Sequence, residues 1–167
     1  MKKAIALLLA LVMVFALCAC GGGGDSASGE KVVKIGVFEP ASGDSGAGGK
    51  KEMLGMQYAN QETPTVEIGG ETYKVELVYS DNGSDSAKAV SAASKLVNEK
   101  VSLVLGSYGS GVSIAASDTF KQAGIPAIGV TCTNPNVTAG NSHYFRICFL
   151  DPFQGTVLAN YAAKELK

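Results

Sequence analysis

The sequence predicts one α/β lobe in three layers, a mainly parallel sheet flanked by helices, and three observations lead there. From Lys31 onward, short runs rich in β-branched residues alternate with segments of helical periodicity. One run, Val101-Ser102-Leu103-Val104-Leu105, is nearly all apolar, as a strand covered on both faces must be. Glycine- and serine-rich stretches follow strands, which is where an open parallel sheet gathers its loops and helix N-termini.

Ahead of the lobe stands a leader. Lys2 and Lys3 precede an apolar stretch, Ala4 to Leu17, that is short for a membrane span. It ends in Leu17-Cys18-Ala19-Cys20-Gly21, which is similar to the bacterial lipobox. Residues 1–19 are thus expected to be a lipoprotein signal peptide and Cys20 the lipid anchor; a plain secretory signal is the alternative. Residues 20–30 contain four consecutive glycines followed by small polar residues, a flexible linker by composition. The lobe is expected over residues 31–149, and residues 150–167 begin a helix that runs off the end without a cap.

Val32 to Phe38 is expected as the first strand, stopped by Pro40, with Ser42 to Gly49 as a turn-rich loop. Lys50 to Asn60 follows as a helix with Met53, Leu54, Gln57 and Tyr58 toward the sheet. Tyr73 to Tyr79 alternates as a second strand, and Ser80 to Asp85 supplies turn and capping oxygens for a helix from Ser86 to Asn98. That helix is expected to bury Val90, Ala93 and Val97. After the strand Val101 to Leu105, a helix from about Val112 to Gln122 is closed by Gly124 and Pro126. Ile125 to Val130 and Tyr144 to Ile147 complete the strands, and Asp151 beside Pro152 marks a further helix start.

The charge balance, 14 basic against 15 acidic residues, gives no reason to expect nucleic acid, whose phosphates demand clustered Lys and Arg. His143 is the single histidine, and neither Cys132 nor Cys148 has ligands at metal spacing, so no metal site is expected. In an oxidising compartment those two cysteines either pair or remain buried thiols. No phosphate loop, dinucleotide fingerprint or serine elbow is present, so no catalytic residue or cofactor is expected and the chain does not read as an enzyme.

The informative turn is Gly106-Ser107-Tyr108-Gly109-Ser110-Gly111. Its glycines admit close approach, and the helix behind it presents unpaired amides with partial positive charge, which suits a small carboxylate. Ser110 would add a hydroxyl, with Tyr108, Gly109 and Gly111 as its companions; the same residues serve equally as a tight turn with Ser110 as helix cap. Thr131-Cys132-Thr133-Asn134-Pro135 offers two hydroxyls and several carbonyls that could accept from an ammonium group, though such turns are common.

Several stretches, taken together and in order, carry a resemblance: Ile35-Gly36-Val37 with Pro40 and Ser42-Gly43, Gly106 to Ser110, Ala123 to Ile128, Thr133-Asn134-Pro135, Phe145-Arg146 and Asp151 to Gly155. From Val33 to Ala163 the chain resembles the first lobe of the type I periplasmic-binding fold, specifically the branched-chain amino acid-binding (leucine-binding) proteins of ABC importers. The resemblance implies that Ser110 meets a ligand α-carboxylate and that Thr131 and Thr133 contact its carboxylate and ammonium. It implies an extracytoplasmic lipoprotein that hands an amino acid to ABC permease subunits, or a lipid-anchored sensor of the same fold. A second lobe would complete the site in such relatives, so this lobe alone is expected to bind weakly. Where some relatives place an aromatic residue in the first loop, this chain has Ala47-Gly48-Gly49, so leucine specificity does not follow.

Overall fold

The structure, a computed structural model, describes residues 30–166. The expected signal peptide, Cys20 and the linker through Gly29 lie outside the described residues, as does Lys167. Six strands form one sheet: β1 (Val32–Glu39), β2 (Thr65–Ile68), β3 (Glu71–Asp81), β4 (Leu103–Leu105), β5 (Ala127–Gly129) and β6 (Tyr144–Arg146). Their order is β2-β3-β1-β4-β5-β6, and every neighbouring pair is parallel except β2 with β3. The helices are α1 (Gly46–Glu62), α2 (Ser86–Asn98), α3 (Ser110–Gln122) and α4 (Asp151–Glu165), with a 3-10 turn at Pro135–Val137.

β1 lies in the middle because it can be covered on both faces. It pairs along its whole length with Lys74–Asp81 and, on the other side, through Ile35–Val37 with Leu103–Leu105. Even-numbered Gly36 and Phe38 face α2 and α3; a Cβ at Gly36 would lie 3.1 Å from both Leu96 and Val104. The core on that side holds Phe38, Leu96, Val104 and Phe120, with the rings of Phe38 and Phe120 edge to face at 5.5 Å. Ala89, Ala93 and Ala116 keep the helix backbones close. On the opposite face β1 turns its odd-numbered residues, among them Val37 and Glu39, toward α1. Three layers result, as expected.

Several elements differ from their sequence expectation. α1 begins at Gly46, so the expected loop from Ser42 to Gly49 is cut to half its length. Glycine disfavours helix, but here the first turn is pressed against its surroundings: a Cβ at Gly49 would fall 2.2 Å from the Pro40 carbonyl oxygen. The inward stripe of α1 includes Glu52, Met53 and Met56, whereas Leu54 and Tyr58 stand in solvent. In α2 the buried positions are Ala89, Ala92, Ala93 and Leu96, and Val90 is exposed. β2 has no counterpart in the sequence reading; it joins β3 through Gly69 and Gly70, both at positive φ. In α4 the cap is Leu150, with Asp151 and Pro152 inside the first turn, and none of the helix's residues is buried.

Candidate functional site

The strand order reverses at β1, whose neighbours are β3 on one side and β4 on the other. Loops leaving β1 and β4 therefore part to opposite faces, one toward α1 and one toward α3, and a crevice opens between them. Polar side chains brace its rim. Asp81 Oδ1 accepts from the Ala41 amide at 2.8 Å and the Gly83 amide at 2.8 Å, while its Oδ2 accepts from the Ser42 hydroxyl at 2.7 Å. Desolvation works against the Asp81 charge, yet the Ser42 hydroxyl and the surrounding amides hold its carboxyl below the usual value. Asn82 Nδ2 donates to Ser107 Oγ at 2.9 Å, tying the loop after β3 to the turn after β4.

That turn is buried at its start and open at its end. Gly106 and Ser107 are buried, Gly109 and Ser110 are half-buried, and Tyr108 is 39% exposed. Gly106 has φ 117°, and a Cβ there would lie 2.3 Å from the Phe38 carbonyl oxygen, so no other residue fits. α3 opens at Ser110 with Gly109 in the cap position and no side-chain cap, so Ser110 is not the cap. Its first-turn amides lack the side-chain acceptor that helix starts ordinarily carry. Ser110 Oγ accepts from the Asn134 amide at 3.2 Å, which uses its oxygen and leaves its proton to donate.

The loop after β5 is less available than its sequence suggests. Arg146 at the end of β6 donates to the carbonyls of Cys132 (3.0 Å), Asn134 (2.9 Å) and Pro135 (3.1 Å), and to Thr138 Oγ1 (2.9 Å). The Thr133 carbonyl accepts from the Asp151 amide at 3.1 Å. Four of the carbonyls expected to await an ammonium group thus already accept one hydrogen bond from within, whereas none to the Thr131 carbonyl is seen among the described residues. Thr131 Oγ1 donates to Glu52 Oε1, while the half-buried Thr133 hydroxyl makes no hydrogen bond among the described residues. Cys132 and Cys148 are free thiols, one buried and one half-buried; burial first, then the nearby Cys148, pushes Cys132 up to about 11.

Beneath the crevice lies a pair of acids. Glu39, 1% exposed at the end of β1, accepts from the Tyr108 amide at 2.7 Å and lies against the Glu52 carboxyl of α1. Burial, then Glu52's hydrogen bond and charge, push the Glu39 carboxyl up to about 9, against the lowering effect of the Tyr108 amide. With both groups ionised, Glu39 Oε1 and Glu52 Oε2 would be buried without partners. A proton retained on Glu39 would give the pair the donor it lacks. Above them a recess of about 540 Å³ is lined by Asp44, Ser45, Ala47, Gly48, Lys51, Glu52, Tyr108 and Thr131.

Of the residues singled out from sequence, Tyr108 and Thr131 line this recess. Gly109, Ser110 and Gly111 form the helix opening, and Ser110 meets the loop of Thr133 through Asn134. Glu39, Glu52 and Arg146 escaped the sequence reading as working parts of the site. The only signal for Glu39 was an acid directly after the apolar run Ile35 to Phe38; Glu52 lies on a helix whose inward face the spacing misplaced.

A doubly wound lobe with a recess beside its switch point has the form in which open parallel sheets hold small ligands. The chain belongs to the periplasmic binding protein family, whose sequence model matches residues 32–167. It is 33% identical over 136 residues to the Leu/Ile/Val-binding protein homolog 2 of Brucella abortus (strain 2308), a match covering 81% of this chain and 36% of that protein. Among solved structures it is similar to a leucine binding protein, LivK, of Thermotoga maritima, at 38% identity and TM-score 0.75, covering 81% of this chain and 38% of that one. A branched-chain amino acid transporter substrate binding protein, LivJ, of Streptococcus pneumoniae, solved with isoleucine, gives 34% identity and TM-score 0.73, covering 81% and 39%. The chain spans little more than a third of the length of these relatives.

Proposed function

We propose that this chain supplies the first ligand-binding lobe of an extracytoplasmic solute-binding lipoprotein, anchored through Cys20, that captures a free amino acid, branched-chain or related, for ABC permease subunits. The observation that carries the reading is the opening of α3: a helix start without a side-chain cap, half-buried, at the switch point of a parallel sheet. An α-carboxylate set there accepts from the first-turn amides and from the Ser110 hydroxyl, whose oxygen is already engaged by Asn134. Thr133, next in sequence to the Asn134 that meets Ser110, and Thr131 would offer hydroxyl oxygens to an ammonium group. Arg146 acts at one remove, pinning the loop that carries both threonines. The family consists of binding proteins rather than enzymes, and the mechanism is closure of two lobes stabilised by the ligand between them.

A thermal-shift screen of the full-length protein against free amino acids tests this. Ligand at 100 times its dissociation constant should stabilise by about 2.7 kcal/mol, and Ser110→Ala should lose most of that response. Stabilisation by sugars with none by any amino acid would overturn the assignment.

A further inference from the structure

We infer that Glu39 and Glu52 are positioning residues for the bound amino acid: together they set the turn of Tyr108 and Ser110 against the loop of Thr131 and Thr133 across the crevice floor. The inference rests on the amino-acid reading above and gives these acids a part in that same site, through their neighbours rather than by contact with the ligand. Three observations carry it.

First, each acid holds one of the two ligand-facing loops. Glu39 Oε2 accepts from the Tyr108 amide at 2.7 Å, 69 residues away in the chain, and Glu52 Oε1 accepts from the Thr131 hydroxyl, 79 residues away. The two carboxyls lie against each other, so Tyr108, Glu39, Glu52 and Thr131 make one continuous connection from the turn after β4 to the loop after β5. Ser110 Oγ, accepting from the Asn134 amide at 3.2 Å, joins the same two loops a second time. Second, the surrounding backbone leaves room for the carboxyls to meet. A Cβ at Gly106 would fall 2.6 Å from Glu39 Oε1, and one at Gly49 would fall 2.2 Å from the carbonyl oxygen of Pro40, the residue after Glu39. Gly49 and Glu52 are three apart on α1 and share its inward side, so the close approach at Gly49 delivers Glu52 to Glu39. Third, the pair is a poor device for stability alone. Glu39 Oε1 and Glu52 Oε2 are buried with no hydrogen-bond partner, whereas two apolar side chains would fill the same space and leave no polar atom unmet.

The connection needs a donor between the carboxyls. A proton retained on Glu39, whose carboxyl is pushed up to about 9 by burial and then by Glu52, supplies one. Its loss leaves two like charges in contact and loosens both loops at once. The other ionisable groups around the pair are Asp81 opposite Glu39 on β3, Lys51 and Asp44 at the recess, and the Tyr108, Tyr144 and Cys132 side chains, all of which a substitution at position 39 leaves in place.

The common L-amino acids, each titrated calorimetrically into the full-length protein, identify a probe, and the tightest is carried through the variants. Glu52→Ala should weaken its binding about tenfold at a temperature where the unliganded variant is folded. Glu52→Gln, which offers Thr131 an oxygen and Glu39 an amide donor, should bring affinity back to within about twofold of native. Glu39→Gln truncates nothing and keeps both contacts without a titrating group. Only about a quarter of the native protein retains the Glu39 proton at pH 9.5, so the ratio of native to Glu39→Gln dissociation constants should rise about fourfold between pH 7 and pH 9.5. The ligand's own ammonium titrates alike with both proteins and cancels in that ratio. A folded Glu52→Ala protein that binds as native does, a Glu52→Gln protein no better than Glu52→Ala, or a ratio flat across the pH range would overturn the inference while leaving the amino-acid reading intact. Silence of the native protein toward every amino acid would overturn both.

Discussion

Under α2 and α3 the sheet meets a dry layer of Phe38, Leu96, Val104 and Phe120, whereas under α1 the same central strand turns Glu39 against a second carboxyl. Phe38 and Glu39 are neighbours in the chain, 0% and 1% exposed, and point to opposite faces. One face is packed for cohesion, with small alanines drawing two helices together. The other carries the Glu39 and Glu52 carboxyls, buried with part of their hydrogen-bonding capacity unmet, and its helix leaves Leu54 and Tyr58 in water. Stability and recognition are thus divided between two sides of a single sheet, and the strand that separates them also carries the switch point.

The division can be broken at three depths. The largest effect is expected for Phe120→Ala, which empties the aromatic contact at the centre of the dry face and should cost about 3–5 kcal/mol in urea denaturation. A loss below about 1 kcal/mol would mean that this face does not hold the lobe together. Glu39→Gln acts on the other side and depends on pH. Folding raises the Glu39 carboxyl from 4.5 to about 9, so between those values the folded state holds a proton that the unfolded chain releases. The native protein should therefore lose stability as pH climbs through this window, and the glutamine variant, which keeps a donor for Glu52, should not. Thermal melts at pH 5 and pH 8.5 should show the two proteins nearly level at the lower value and the variant ahead by about 1–3 kcal/mol at the higher. A constant difference would refute the proton retained on Glu39. The smallest effect belongs to Leu54→Ser on the outer side of α1, where 63% of the residue is already exposed; its unfolding free energy should stay within about 0.5 kcal/mol of native.

The dry face was largely legible in the sequence because burial writes itself as pattern. β-branched runs marked β1 and β3, an apolar run marked β4, and Gly124 with φ 68° closed α3 where a glycine stop was expected. The recognition face was less legible. α1 starts inside a glycine run that propensity argues against, and only contacts with Pro40 and Tyr108, remote in sequence or folded back upon it, make a helix there. β2 escaped because an edge strand with all four residues exposed has no buried side to imprint an alternation; the Gly69-Gly70 pair was its one trace. In the site, the helix-opening logic around Ser110 could be read from glycines and chain order. The Glu39–Glu52 pair could not, since it joins residues 13 apart whose meeting depends on how α1 lies across β1. Arg146 was visible only as part of a resemblance, because its four partners are reached through space from the end of the last strand.

Gly48 lies beneath the ring of Tyr108, and a single added carbon there would come within 2.5 Å of the ring's Cζ. Positions 48 and 108 are therefore one variable rather than two. A descendant of this sequence that acquires a bulky residue at 48 must surrender or swing aside the phenol in the same step, and one that trims the phenol first gains licence to rebuild the opposite wall. Change in what the lobe prefers is thereby channelled into a paired exchange, in which enlargement at 48 taken alone meets the ring and loss of the ring taken alone does not.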